Sequence, residues 1–123
     1  SKASTSIDIV QPMNIDSTNM RPQDWMRIRD VIMDGYDAHD GFVVLHGTDT
    51  MSYTAAALSY LIQNSDKPIV LTGSQQPMGN PFTDAKINLY QSLVYAADDR
   101  SRDVSIVFGG YAIAGTRAAS SAP

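Results

Sequence analysis

Residues 45–50, Leu-His-Gly-Thr-Asp-Thr, place a hydroxyl (Thr48) directly beside a carboxylate (Asp49). A hydroxyl next to a carboxylate suits nucleophilic or acid–base work, provided a base lies within reach. Gly47 lets the backbone turn sharply there and lets a ligand come close. The competing reading is that Thr48 or Asp49 simply caps a following helix. Ser17 and Thr18 form a second hydroxyl pair, and Ser74-Gln75-Gln76 a third polar group. Alone, each belongs to the ordinary chemistry of turns, because short polar side chains bond their own backbone. His46 reads as a hydrogen-bonded core histidine before it reads as a base. The methionines are scattered and read as packing.

The surrounding pattern decides whether these groups can meet. Residues 6–11 form a short β-prone run closed by Pro12. Pro22 opens a helix whose Trp25, Ile28 and Ile32 share one face, ending near Gly35. The apolar run 41–46 suits a strand buried on both faces of a parallel sheet. Residues 50–63 carry Met51, Ala55, Leu58 and Ile62 at helical spacing. Residues 68–72 are a second buried strand, ended by Gly73. A Gly/Pro-rich loop is expected over 73–83, then a helix capped by Asp84 with Ile87, Tyr90, Val94 and Ala97 inward. Residues 104–108 form a last strand, and Gly109-Gly110 turns it into a hairpin arm, Tyr111-Ala112-Ile113. Strands alternating with helices predict a three-layer α/β domain with a parallel sheet, of the Rossmann-like or flavodoxin-like kind. In such sheets ligands bind at the carboxyl ends of the strands. Three of the polar loops that follow strands carry the groups named above, so their convergence there favours a site for a small polar ligand.

Composition narrows the chemistry. The 123 residues fit one domain, with 43% apolar and 18% charged residues. The net charge of −4 lacks the basic footprint of a nucleic-acid binder. No cysteine is present, which excludes disulfides, thiolate catalysis and cysteine metal sites. The two histidines, His39 and His46, are too few for a histidine-rich metal site. No apolar run approaches the ~20 residues of a membrane span. Neither GxGxxG nor GxxxxGK[ST] occurs, which weakens a nucleotide-binding reading. No segment of these 123 residues reads as a signal peptide, an internal repeat or a long linker. Both ends are small and polar and Ser1 is not preceded by Met, so the sequence reads as a piece of a longer chain.

The motifs together resemble a family. Asp40–Met51 (DGFVVLHGTDTM) closely resembles the second signature of the bacterial-type L-asparaginases, and the spacing resembles their type I branch. The likeness continues through Lys67–Ser74 (KPIVLTGS), Asp84–Leu89 (DAKINL), Gly115–Arg117 and, upstream, Asp16–Trp25 (DSTNMRPQDW). It implies an incomplete asparaginase N-terminal α/β domain from a threonine-nucleophile family. These are hydrolases of asparagine catabolism that split the side-chain amide of asparagine, and less well of glutamine, into acid and ammonia. It implies that Ser17 and Thr18 bind the α-carboxylate region, that Asp49 holds the α-ammonium, and that Gly47 and Ser74 line the pocket. Thr48 would belong to a Thr-Lys-Asp triad, making Thr48 and Asp49 the catalytic pair. No metal or organic cofactor is implied. The expected partner is a small molecule, with neither nucleic acid nor membrane, in a cytoplasmic homodimer or homotetramer.

The departures are specific. The family's TGGTI strand, with its nucleophilic threonine and the lid tyrosine that follows, would precede Ser1. The triad lysine would fall near Ser120, and the lysines present are Lys2, Lys67 and Lys86. The C-terminal domain has no counterpart. The chain alone should therefore be a very poor catalyst. Two alternatives stand beside an asparaginase: an amino-acid-binding fragment without turnover, and the asparaginase-like domain of a tRNA-dependent amidotransferase. The exposed edge left by a missing first strand predicts association.

Overall fold

The computed structural model describes residue 8 and residues 20–73, 81–98, 100–109 and 111–116, the side chains of 81–86 excepted. The elements run α1 (Pro22–Asp34), β1 (Phe42–Leu45), α2 (Met51–Leu61), β2 (Pro68–Thr72), α3 (Pro81–Ala97), β3 (Asp103–Phe108) and β4 (Tyr111–Ala114). The expected strand at 6–11 falls outside the described residues apart from Asp8.

The sheet order is β1-β2-β3-β4, with the first two pairings parallel and the last antiparallel. Side chains alternate across each strand, and that alternation sorts the layers. Ile69 and Leu71 of β2 and Val104 and Ile106 of β3 join Met51, Ala55 and Leu58 of α2 and Ile28 and Ile32 of α1 in one core. The opposite face meets α3, where Tyr95 reaches Ser105 at 3.4 Å. Helices therefore cover both faces, as the β/α alternation predicts. Leu58, Ile69 and Leu71 are wholly buried, each contributing about 1.5–3 kcal/mol of transfer free energy.

Three expectations need correction. β1 is half-buried and Leu45 is 66% exposed, because among the described residues β1 has a neighbour on one side only. The helix expected from Asp84 begins three residues earlier, at Pro81, whose fixed φ suits a first helical turn. The face formed by Ile87, Tyr90, Val94 and Ala97 points outward: Tyr90 is 69% exposed. The buried face is instead polar and small, carried by Asn88 and Ser92. Helical periodicity identifies a face but not the direction in which it points. Here the backbone groups bonded by Asn88 decide the direction.

The hairpin follows the sequence. Phe108 pairs with Tyr111, and Gly109 takes φ 59°, a left-handed conformation suited to glycine.

Candidate active site

β1 delivers the Gly47-Thr48-Asp49 segment to the carboxyl edge of the sheet. The helix that follows has Thr50 at its N-cap position, without a side-chain capping bond. Neither Thr48 nor Asp49 therefore caps α2, and the capping reading fails for both. Both side chains are exposed. Two reactive side chains are left available one residue before a helix N-terminus, where backbone dipoles favour anions.

The loop after β2 is pressed against this segment. A Cβ built on Gly73 would stand 2.2 Å from the His46 carbonyl oxygen and 3.7 Å from Thr48 Cγ2. Only glycine permits that approach. The His46 amide also donates to the Thr72 carbonyl at 2.8 Å, which extends the β1–β2 ladder to the edge of the site. The third loop is tied in by Asn88. Its Nδ2 donates to Gly73 O at 2.6 Å, and its Oδ1 accepts from the Gly109 amide at 3.1 Å. One buried amide thus clamps the carboxyl ends of β2 and β3 together. Sequence reasoning missed Asn88. The available signal was an amide residue, which competes with the backbone for hydrogen bonds, set between Ile87 and Leu89 in the middle of a helix.

His46 is a bonded core histidine, as expected. Its Nδ1 lies 2.6 Å from Gly47 O and its Nε2 lies 2.9 Å from Thr54 Oγ1. Burial pushes its pKa below the ordinary imidazole value, against the smaller opposing effect of the Gly47 carbonyl. It is neutral at pH 7 and has no free nitrogen to serve as a base.

Lys67 sits at the wrong edge. It precedes β2, whose five residues at ~3.3 Å each separate it from the site. Its ammonium donates to the Tyr36 carbonyl and lies 4.6 Å from the Tyr36 ring centroid. Ser17, Thr18, Ser74 and Arg117 fall outside the described residues, as do the side chain of Lys86 and the whole of Lys2. The structure brings together Gly47, Thr48 and Asp49 with Gly73, the residue before Ser74.

A cleft of about 330 Å³ adjoins Thr48 and Ser52, with Ile106, Phe108, Tyr111 and Ile113 on its other wall. Its apolar lining does not suit a zwitterionic ligand, so the polar edge at Thr48 and Asp49 remains the better candidate. Among the described residues no group of three His, Asp or Glu side chains could hold a metal ion.

A family model, Asparaginase, N-terminal, matches residues 1–122. The chain belongs to the asparaginase N-terminal family. L-asparaginase 1 of Escherichia coli is 45% identical over 103 residues, covering 84% of this chain and 30% of that protein. The crystal structure of L-asparaginase I from Vibrio cholerae superposes with a TM-score of 0.77 at 45% identity, covering 84% of this chain and 31% of that one. A glutamyl-tRNA(Gln) amidotransferase protein from Metallosphaera sedula is 44% identical over 95 residues, 76% of this chain and 22% of that protein. The chain thus spans between about a fifth and a third of the length of the asparaginases it matches. Among the described residues no helix is long and apolar enough to cross a membrane.

Proposed function

We propose that this chain is the greater part of an asparaginase N-terminal domain and that the whole protein is an L-asparagine amidohydrolase. The observation that carries this reading is the uncapped, exposed Thr48–Asp49 pair at the carboxyl edge of the sheet, packed against Gly73. It stands in a chain of the asparaginase N-terminal family.

The roles are those that the resemblance to the asparaginases implies. The Asp49 carboxylate pairs with the substrate α-ammonium through a charge-assisted hydrogen bond. Ser17 and Thr18 hydrogen-bond the α-carboxylate region, and Gly47 and Ser74 line the pocket. Thr48, in a triad with a lysine and an aspartate, polarises the side-chain amide or activates the group that attacks it. Water enters and ammonia leaves, so the amide becomes L-aspartate. The resemblance assigns the nucleophilic threonine, the lid tyrosine and the triad lysine to segments that have no matching residues among these 123.

A cytoplasmic homodimer or homotetramer is part of the proposal. Exposed Tyr90, Val94 and Tyr111 support association, because apolar clusters on a surface mark interaction sites. Sedimentation of the whole protein tests this, and a monomer would refute it. The relative in the amidotransferase class supports a second reading, in which ammonia is passed on to a charged tRNA. The acidic balance of this chain favours the free amino acid.

The deciding assay compares ammonia release by the whole protein from L-asparagine and from L-glutamine, with and without glutamyl-tRNA. Release from free L-asparagine, unchanged by the RNA, is expected. Release that requires the charged RNA would replace the asparaginase reading with the amidotransferase one.

A further inference from the structure

A directional chain of hydrogen bonds runs from α1 through α2 to the loop carrying Thr48, and the proposed chemistry does not use it. Trp25, the single tryptophan of these 123 residues, lies 2.8 Å from Thr54 Oγ1 through its indole nitrogen. An indole N–H only donates, so Thr54 accepts. A carbonyl only accepts, so His46 Nδ1, 2.6 Å from Gly47 O, carries a proton. Burial keeps the ring neutral, and a neutral imidazole has one N–H. His46 Nε2 is therefore an acceptor, and the Thr54 hydroxyl, 2.9 Å away, donates to it. The order is fixed: Trp25 to Thr54, Thr54 to His46, His46 to Gly47.

Two features make this more than a packing contact. Thr54 is completely buried, so its hydroxyl depends on these protein partners in place of water. The chain also ends on the peptide that joins Gly47 to Thr48. In a trans peptide the carbonyl and the N–H point in opposite directions. Holding the Gly47 carbonyl on the His46 ring turns the Thr48 amide away from that ring and sets where Thr48 begins.

We propose that Trp25, Thr54 and His46 are positioning residues that orient the Gly47–Thr48 peptide, and through it Thr48 and Asp49, without touching the substrate. The proposal rests on the reading that Thr48 and Asp49 act on an amino-acid amide. A misplacement of about 1 Å in a reacting group can cost about 100-fold in rate, so a relay that removes one degree of freedom from this peptide has a measurable effect.

The test uses the whole protein with Thr54→Val, which keeps the shape and removes the hydroxyl, and Thr54→Ser, which restores it. Nitrogen-resolved NMR reads the Trp25 indole N–H, assigned by its loss in Trp25→Phe, the His46 tautomer and the Thr48 backbone amide. Wild type should show His46 protonated at Nδ1 with Nε2 bare. Thr54→Val should shift the indole and Thr48 amide resonances and lower kcat for L-asparagine about 10- to 100-fold, with KM changed less. Thr54→Ser should return all of these towards wild type. A wild-type His46 protonated at Nε2 would overturn the relay. So would a Thr48 amide that stays in place in Thr54→Val, or a Thr54→Ser protein as impaired as Thr54→Val. If wild type releases no ammonia from L-asparagine, the functional reading fails, while the Thr48 amide still decides whether the relay positions that peptide.

Discussion

Asn88→Ala should be among the most damaging single changes in this domain. Asn88 is 1% exposed and makes two backbone bonds from one side chain. Truncation leaves the Gly73 carbonyl, also buried, without a partner, which costs about 1–3 kcal/mol. The Gly109 amide sits at an exposed turn, so water replaces its partner and about 0.5–1 kcal/mol is lost. The space left by the amide group adds about 1 kcal/mol of lost packing. The expected total is about 2.5–5 kcal/mol, a large share of the roughly 5–15 kcal/mol that holds a typical domain folded. Asn88→Asp gives a sharper reading of the same bonds. An ionised carboxylate would set an acceptor against Gly73 O, whereas a protonated carboxyl donates to Gly73 O and accepts from the Gly109 amide. Burial and the Gly73 carbonyl both favour the protonated form, raising the folded pKa above the ordinary carboxylate value. The restored stability is therefore present at pH below the unfolded value of about 4 and is lost as pH rises through the folded one. Urea unfolding of wild type, Asn88→Ala and Asn88→Asp across pH measures this directly. An Asn88→Ala protein within about 0.5 kcal/mol of wild type, or an Asn88→Asp deficit independent of pH, would refute the clamp.

Other consequences are equally open to measurement. Gly73→Ala forces a Cβ onto the His46 carbonyl oxygen at 2.2 Å; it should cost about 3 kcal/mol or more in urea unfolding, and a near-neutral effect would contradict the convergence of the two loops. Gly115→Ala meets Ser59 Oγ at 2.3 Å, Ala55 O at 3.0 Å and Val104 Cγ1 at 3.0 Å; a loss of about 1–3 kcal/mol is expected, and a stabilised protein would refute the close packing of that residue on α2. The two histidines should titrate on opposite sides of 6.5. His39 is raised first by the Gly35 carbonyl and then by Asp8, so its contribution to stability is complete below the unfolded value and fades as pH rises through the folded one. His46 is lowered by burial, so its contribution is complete above the unfolded value and fades as pH falls through the folded one. Proton NMR titration in which His46 holds its proton to higher pH than His39 would reverse both assignments.

Much of the frame was legible in the sequence because periodicity and punctuation agreed. Pro22 at a helix start, the apolar run 68–72 and the double glycine after Phe108 each have a single local solution, and each forms as read. The outward turn of α3 was not legible, because a stripe such as Ile87, Tyr90 and Val94 reads as core until something shows where the sheet lies. What turns the helix is Asn88, whose two partners stand 15 and 21 residues away in sequence. At the site, the strand-to-helix position of Thr48 and Asp49 could be read directly, but the choice between cap and free side chain depended on where α2 begins. The Trp25–Thr54–His46 chain was invisible for the same reason as the clamp. Its first bond joins residues 29 apart in sequence, and nothing in local composition marks it.

The central claim is that Thr48 performs chemistry at a site that Asp49 helps to bind. The most direct measurement combines L-aspartate binding by calorimetry with ammonia release from L-asparagine, for the whole protein and its Thr48→Val variant. Thr48 is exposed, so the substitution should change stability by no more than about 0.5 kcal/mol. Retained product binding with a fall in kcat of about 1,000-fold or more is the predicted result. A Thr48→Val protein that releases ammonia at close to the wild-type rate would contradict the account.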